Sequence, residues 1–213
     1  LAMNGGPIAI HRGNGWLASI SGMTSRYRCV EIYGWTQTNN YGRFARNGSL
    51  FITSTGVPPD FRQSGWSYDG WNWCHFPGTT AIRCPNERDI FDGYAMYGNS
   101  NGQVGGTHLG NDGVWGMDYS GFGVSFRKSY FSFGNRITAI TTGIRAKDSK
   151  NTHPLATTLF QNSITPESEF ITLDGESLKS FPNETTLSFE KPHWIIDHKQ
   201  TGYLLPVGND LLR

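Results

Sequence analysis

The sequence predicts an all-β fold, a large antiparallel β-sandwich. Three observations carry that reading. Apolar residues recur mostly with a period of two, glycine-bearing turns interrupt them at short intervals, and only Asn86 to Phe91 reads as helical. Composition agrees: 27 of 213 residues are glycine, nearly twice the usual share of about 7%. Aromatics make up 14% of the chain, and charged residues 16% against about 25% in an average protein. Few charges with many glycines and rings exclude a coiled coil or a disordered chain. At this length a domain buries roughly 70% of its unfolded surface, so a core needs no staples.

The elements follow in order. Ile8 and Ile10 alternate with Ala9 and His11, Gly13-Asn14-Gly15 supplies a tight turn, and Trp16, Ala18 and Ile20 alternate again. Ser25 to Tyr33 reads as a strand, with Tyr27, Cys29 and Glu31 on one face and Arg28, Val30 and Ile32 on the other. Gly48 to Ser54 is the next, and Ile82 lies in a short strand after the Pro77-Gly78 turn. The stretch Gly93 to Gly123 reads as a long ordered loop with short strands, since it also holds Trp115, Met117, Tyr119 and Phe122. Val124 to Phe133, Arg136 to Ile144, Ala156 to Asn162 and Phe170 to Leu173 continue the series, with turns at Gly134-Asn135 and Asp174-Gly175. Trp194 to Asp197 and Gly202 to Leu205 form a last hairpin.

Composition also limits function. The net charge is +1, so there is no global signal for a polyanion partner, and no apolar run approaches the roughly 20 residues of a membrane helix. Nucleic acid ranks behind an anionic polysaccharide, because no nucleic-acid fold signature is present. Cys29, Cys74 and Cys84 match no metal spacing and read as buried small hydrophobes. The six histidines show neither HxH nor HExxH spacing, so neither a metal nor another cofactor is expected. The chain starts in apolar sequence without a signal peptide and ends on a strand-like run, which reads as a piece cut from a longer protein.

Charge is unevenly placed. Residues 1–50 hold five arginines (Arg12, Arg26, Arg28, Arg43, Arg46), no lysine, and one acid, Glu31. Arginine forks suit carboxylate and sulfate, so the pattern points to an anion-binding face; a solvated sheet face is the plainer alternative. A lone carboxylate among cations stays ionised, so Glu31 suits orienting an arginine or a tyrosine hydroxyl better than donating a proton. An ordinary ion pair with Arg43 or Arg46 is the competing reading. Gly65 to Trp73 places four aromatics in nine positions, which suits stacking on sugar rings. Trp71 and Trp73, two apart on one strand face, are assigned to the core.

Several segments together resemble one family. Asn4-Gly5-Gly6, Ile10-His11-Arg12, Val30-Glu31-Ile32-Tyr33 and Asn40-Tyr41-Gly42-Arg43-Phe44 are similar to the central sheet domain of chondroitin sulfate ABC lyases, in polysaccharide lyase family 8. Gly70-Trp71-Asn72-Trp73, Pro77-Gly78-Thr79-Thr80, Arg127-Lys128-Ser129, Thr157-Thr158-Leu159-Phe160-Gln161, Ile164-Thr165-Pro166 and Gly202-Tyr203-Leu204 continue it in order. The resemblance spans essentially the whole chain. It implies a galactose-mutarotase-like supersandwich, incomplete at its C-terminal end, set between a helical domain and a smaller β domain that this chain lacks.

It further implies β-elimination at hexosamine–uronate bonds of chondroitin or dermatan sulfate, with hyaluronan as a further candidate, in a periplasmic or secreted enzyme. The histidine, tyrosine and arginine that do most of the chemistry belong to the helical domain, so the isolated chain is expected to be inactive. Glu31 matches the glutamate that the sandwich lends to the same cleft. Arg43, His11, Arg12 and Asn4 lie in matching segments and are the candidate substrate-binding residues. One departure is His75 in Cys74-His75-Phe76, where relatives often carry an arginine; a buried turn residue is the alternative there. The rival from another class is a non-catalytic carbohydrate-binding sandwich.

Overall fold

The computed structural model describes residues 2–3, 7–27, 31–33, 37–39, 42, 44–83, 101–147, 153–166, 168, 170–179, 183–188 and 190–208; at 2–3, 31–33 and 37–39 this is the backbone path and its pairing. Sixteen strands and no helix occur among them, and every pairing is antiparallel.

The first sheet has the order β1 (Ala2–Met3), β2 (Ile8–Arg12), β3 (Leu17–Ser21), β6 (Ser49–Thr53). The second has the order β11 (Arg136–Ala146), β10 (Val124–Phe133), β9 (Asp112–Gly121), β8 (Val104–Leu109). A hairpin, β4 (Glu31–Tyr33) with β5 (Gln37–Asn39), interrupts the path from β3 to β6. β7 (Thr80–Ile82) pairs with β12 (Leu155–Thr157). A third four-stranded sheet runs β14 (Glu176–Ser177), β13 (Thr172–Leu173), β15 (His193–Ile196), β16 (Gly202–Leu205).

The core lies between the first two sheets. Ala9 and Ile20 face Trp115, Met117, Tyr119, Val124, Phe126 and Tyr130. Alternation explains the set: Trp115, Met117 and Tyr119 are two apart on β9, and Val124, Phe126 and Tyr130 share the matching face of β10. Each such ring contributes about 1.5–3 kcal/mol by leaving water. Tyr119 stacks on Phe126 at 4.8 Å, and Trp115 tilts over Tyr130 at 5.7 Å. Gly22 is required here, because a Cβ would lie 2.4 Å from the Trp115 ring.

The strands at 124–133 and 202–205 have the bounds read from the sequence. Other segments differ. Ser25 to Tyr27 form a turn, held by Arg26 N–H donating to Thr24 Oγ1 (3.1 Å) and Tyr27 N–H donating to the Thr24 carbonyl (3.3 Å). The strand expected from residue 25 therefore starts, among the described residues, at Glu31. Within Gly93 to Gly123 the structure has the β8–β9 hairpin rather than a loop, and β9 is ten residues long. Its glycines, Gly113, Gly116 and Gly121, hide an alternation that the buried partners restore. Strand β12 stops at Thr157: Thr158 N–H still donates to the Thr79 carbonyl (3.0 Å), but Thr79 N–H is taken by the Phe76 carbonyl (3.0 Å), so the Thr158 carbonyl accepts from Gly78 N–H (2.7 Å) and the ladder ends. The Asn86 to Phe91 segment and Cys29 and Cys84 lie outside the described residues; Cys74 is buried, as read.

Candidate functional site

Register divides the first sheet into two ends. Ile8, Ser21 and Ser49 stand side by side at one end, and Arg12, Leu17 and Thr53 at the other. The chain leaves the sheet at Ser21, forms the β4–β5 hairpin, and returns at Ser49, so hairpin and returning turn both attach at the first end. Glu31 opens β4, opposite Asn39. The Asn4 segment joins β1 to β2 at this same end. The side chains of Glu31, Arg43 and Asn4 lie outside the described residues.

The turn after Arg43 is firmly seated. Phe44 is buried and meets Phe122 edge-on at 5.2 Å. Ala45 N–H donates to the Gly42 carbonyl (3.1 Å), Asn47 N–H to the Phe44 carbonyl (3.1 Å), and Ser49 Oγ to the Ala45 carbonyl (2.6 Å).

His11 and Arg12 belong to the other end. Three to four strand residues, about 10–13 Å, separate them from Ile8. His11 is buried, with Nε2 donating to the Gly134 carbonyl (2.7 Å) and its ring 5.3 Å from Trp16. Asp112 Oδ1 accepts from Gly134 N–H (3.2 Å), so His11 and Asp112 pin the β10–β11 turn from two sides. A shallow cleft beside them is lined by His11, His108, Asp112, Trp115 and Ser132 among others. Arg12 is exposed. The connections that carry Asn4, Glu31 and Arg43 thus leave from or return to the Ile8–Ser21–Ser49 end of the sheet, whereas His11 and Arg12 stand toward its other end.

The aromatic loop runs beside β6. Leu50 N–H donates to the Pro77 carbonyl (2.9 Å), and the Phe51 ring lies 6.3 Å from Trp71. Trp71 is buried, as read, but in a loop and not on a strand face; Trp73, read with it as core, is half-buried, edge-on to Tyr68 (5.5 Å) and Phe76 (6.0 Å). Tyr68 is 56% exposed and Phe61 44%, which leaves two outward rings for a flat apolar face. Gln161 staples the loop: its amide accepts from Asn72 N–H and donates to the Asn72 and His75 carbonyls (3.2 Å each). His75 is a half-buried turn residue.

Two features escape sequence reasoning. One is the polar pair Lys128 and Tyr130 on the core face of β10, which bonds the 48 and 78 backbones. A lysine at a core position of an alternating strand was the available signal. The other is in the third sheet, where His193 is buried between two acceptors, Asp174 Oδ2 at Nδ1 (2.7 Å) and the Ser188 carbonyl at Nε2 (2.7 Å). Both ring nitrogens must therefore donate, which is the imidazolium form.

The Ser188 carbonyl first, and then Asp174, raise the His193 pKa above its ordinary value. Trp194 N–H, donating to Oδ1 (2.9 Å), followed by His193, lowers that of Asp174. A raised histidine pKa contributes stability that is whole below about 6.5 and disappears as pH climbs through the folded-state value. We expect the amide protection factor of Trp194 to fall as pH rises above neutrality, and a His193→Gln chain to lose that dependence. Equal pH dependence in both chains would exclude the ion pair as its cause.

Residues 6–212 match the family model described as polysaccharide lyase family 8, super-sandwich domain. A chondroitin sulfate ABC exolyase of Proteus vulgaris is 31% identical over 88% of this chain and 20% of that protein. A chondroitin sulfate ABC endolyase of the same organism is 28% identical over 96% of this chain and 20% of that protein. Among solved structures, a chondroitinase AC lyase studied with oligosaccharides superposes with a TM-score of 0.74 at 19% identity, covering 95% of this chain and 28% of that one. A Paenibacillus xanthan lyase gives 0.73 at 20% identity, covering 92% and 18%. The chain spans about a fifth of the length of the curated relatives it matches. The two facing antiparallel sheets are thus the frame of a known architecture, and the chain belongs to polysaccharide lyase family 8 through its super-sandwich domain.

Proposed function

We propose that this chain is the central sandwich domain of a longer glycosaminoglycan lyase and forms one wall of its substrate cleft. The substrate class is chondroitin or dermatan sulfate, and the reaction is β-elimination. A base takes the proton from C5 of the uronate, the C5–H electrons form the C4=C5 double bond, the C4–O4 bond breaks, and an acid protonates O4. Neutralising the uronate carboxylate makes C5–H acidic enough to leave. The observation that carries this reading is the family match over residues 6–212, with chondroitin sulfate lyases among the relatives.

In this scheme Glu31 remains a carboxylate and accepts hydrogen bonds from a tyrosine and an arginine of the adjoining helical domain. It holds them in geometry and does not exchange protons. Arg43 and Asn4, on segments attached at the same end of the sheet, meet substrate anions and hydroxyls. His11, whose Nε2 is occupied by Gly134, supports the far turn.

The test uses two proteins. The 213-residue chain, mixed with chondroitin sulfate, should produce no rise in the ultraviolet absorbance of unsaturated uronate. The longer polypeptide carrying it should produce one. Absorbance from the chain alone would overturn the shared-cleft scheme, and none from the longer polypeptide would overturn the lyase assignment. Micromolar binding of chondroitin sulfate oligosaccharides by the chain, with no cleavage by either protein, would establish the carbohydrate-binding alternative.

A further inference from the structure

The core-facing positions of β10 are Val124, Phe126, Lys128, Tyr130 and Ser132, so strand alternation delivers a lysine into the sandwich interior, 1% exposed. Its stem passes Gly48, where a Cβ would lie 2.8 Å from Lys128 Cδ. Its Nζ lies 5.3 Å from the centre of the Phe126 ring and donates to the Gly78 carbonyl and to Thr80 Oγ1 (3.1 Å). Tyr130, the next core position, donates Oη to the Gly48 carbonyl (2.6 Å) and lies 3.3 Å from that of Gly78.

The flanking strands present Met117 from β9 and Thr141 from β11. Among the described residues no carboxylate pairs with Lys128. Among the described residues the titratable group facing it is Tyr130, which burial keeps protonated by pushing its pKa up.

Two acceptors match a neutral amine, which has two N–H groups. An ammonium ion would bring a third N–H without an acceptor and a charge faced by the Phe126 ring but, among the described residues, by no carboxylate. Burial accordingly lowers the Lys128 pKa to about 7. Two turns border the candidate cleft end, and Lys128 ties one of them through Gly78 and Thr80 while Tyr130 beside it ties the other through Gly48. The first, at 77–80, continues from the aromatic loop; the second, at 44–48, continues from Arg43.

We propose that Lys128 is a positioning residue for the cleft: as a neutral amine it clips the 77–80 turn onto β10, beside the 44–48 turn that Tyr130 holds, and its protonation loosens that clip. The link to turnover rests on the lyase reading above; the clip itself does not.

Urea midpoints of the 213-residue chain, measured from pH 6 to pH 9 beside a Lys128→Met chain, test the clip. A lysine whose folded-state pKa is lowered costs stability at acid pH, and the cost fades as pH rises above the folded value. The wild-type midpoint should therefore gain steadily on that of the variant, and at pH 6 the variant should be no less stable. A pH-independent difference would overturn the proposal. If the methionine chain does not fold, a nitrogen-15 NMR titration of Lys128 Nζ in the wild-type chain decides: a midpoint near 7 supports the clip, and one near 10 overturns it.

In the longer lyase, kcat/KM should fall about tenfold between pH 8 and pH 6 through this one group. Lys128→Met should remove that acid limb, and Lys128→Arg, which cannot become neutral, should be slow throughout. An unchanged acid limb in Lys128→Met would overturn the positioning role and leave the lyase assignment standing. A wild-type polypeptide with no lyase activity would sink that assignment, while the chain's own titration still decides the clip.

Discussion

Glu31→Gln in the longer lyase should lower turnover of chondroitin sulfate by about 10²-fold or more, the scale seen when one preorganised electrostatic contact is removed from a reaction centre. Glutamine keeps the shape of glutamate and removes its charge. Glu31 is the single acid among five arginines in residues 1–50, and in the proposed scheme it serves as an acceptor for cationic and hydroxylic partners. An amide offers one weaker acceptor and a pair of N–H donors that would face other donors. The loss should appear in kcat with little change in KM, because the partners act on developing charge more than on the resting substrate. Folding should be nearly unaffected, within about 0.5 kcal/mol, since Glu31 starts a three-residue strand of a two-stranded hairpin outside the main core. Steady-state kinetics beside a denaturation curve measure both quantities. Wild-type turnover with glutamine at 31 would remove Glu31 from the mechanism.

Gly78→Ala should be the most destabilising single-methyl change in the sandwich. Gly78 has φ of +80°, a conformation that costs an L-residue about 1–2 kcal/mol. The new Cβ would also lie 2.4 Å from Leu50 N and 2.9 Å from Tyr130 Oη. Relief would break the Leu50 N–H bond to the Pro77 carbonyl (2.9 Å) or push Tyr130 off Gly48, and a buried polar group left unpaired costs about 1–3 kcal/mol. The combined loss is about 3 kcal/mol or more. Gly70→Ala is the control: Gly70 has φ of +75°, with nothing within 4 Å of the built Cβ, so it should lose only the backbone part. Urea denaturation of the two chains separates steric from conformational cost. Equal losses would show that the 78 turn yields without disturbing Leu50.

Most of the fold is legible in the residues because a sheet writes itself as alternation. Val124 to Phe133 and Gly202 to Leu205 could be bounded directly, and Asp174-Gly175 takes the two positive φ angles that its turn needs. The misreadings come from residues whose partners are distant in sequence. Strand β9 was hidden by glycines, and only β8 and β10 on either side make Trp115, Met117 and Tyr119 a buried row. The site was legible in part. The lone acid and the arginine run drew attention to Glu31 and Arg43, and Trp71 was placed in the core. Linear proximity groups His11 and Arg12 with Asn4; pairing register sets them three to four residues along β2 from the end at which the Asn4 segment joins.

By itself the sequence determined the all-β class, the turn positions and the family, because period, glycine placement and motif order are local properties of the chain. The tertiary structure alone decided at which end of the first sheet the chain leaves and returns, what His11 holds, and why Lys128 can lie in the interior. Those answers depend on pairing register and on which carbonyls surround a buried donor. Both arise from contacts between residues as much as 123 positions apart, which no window along the chain contains.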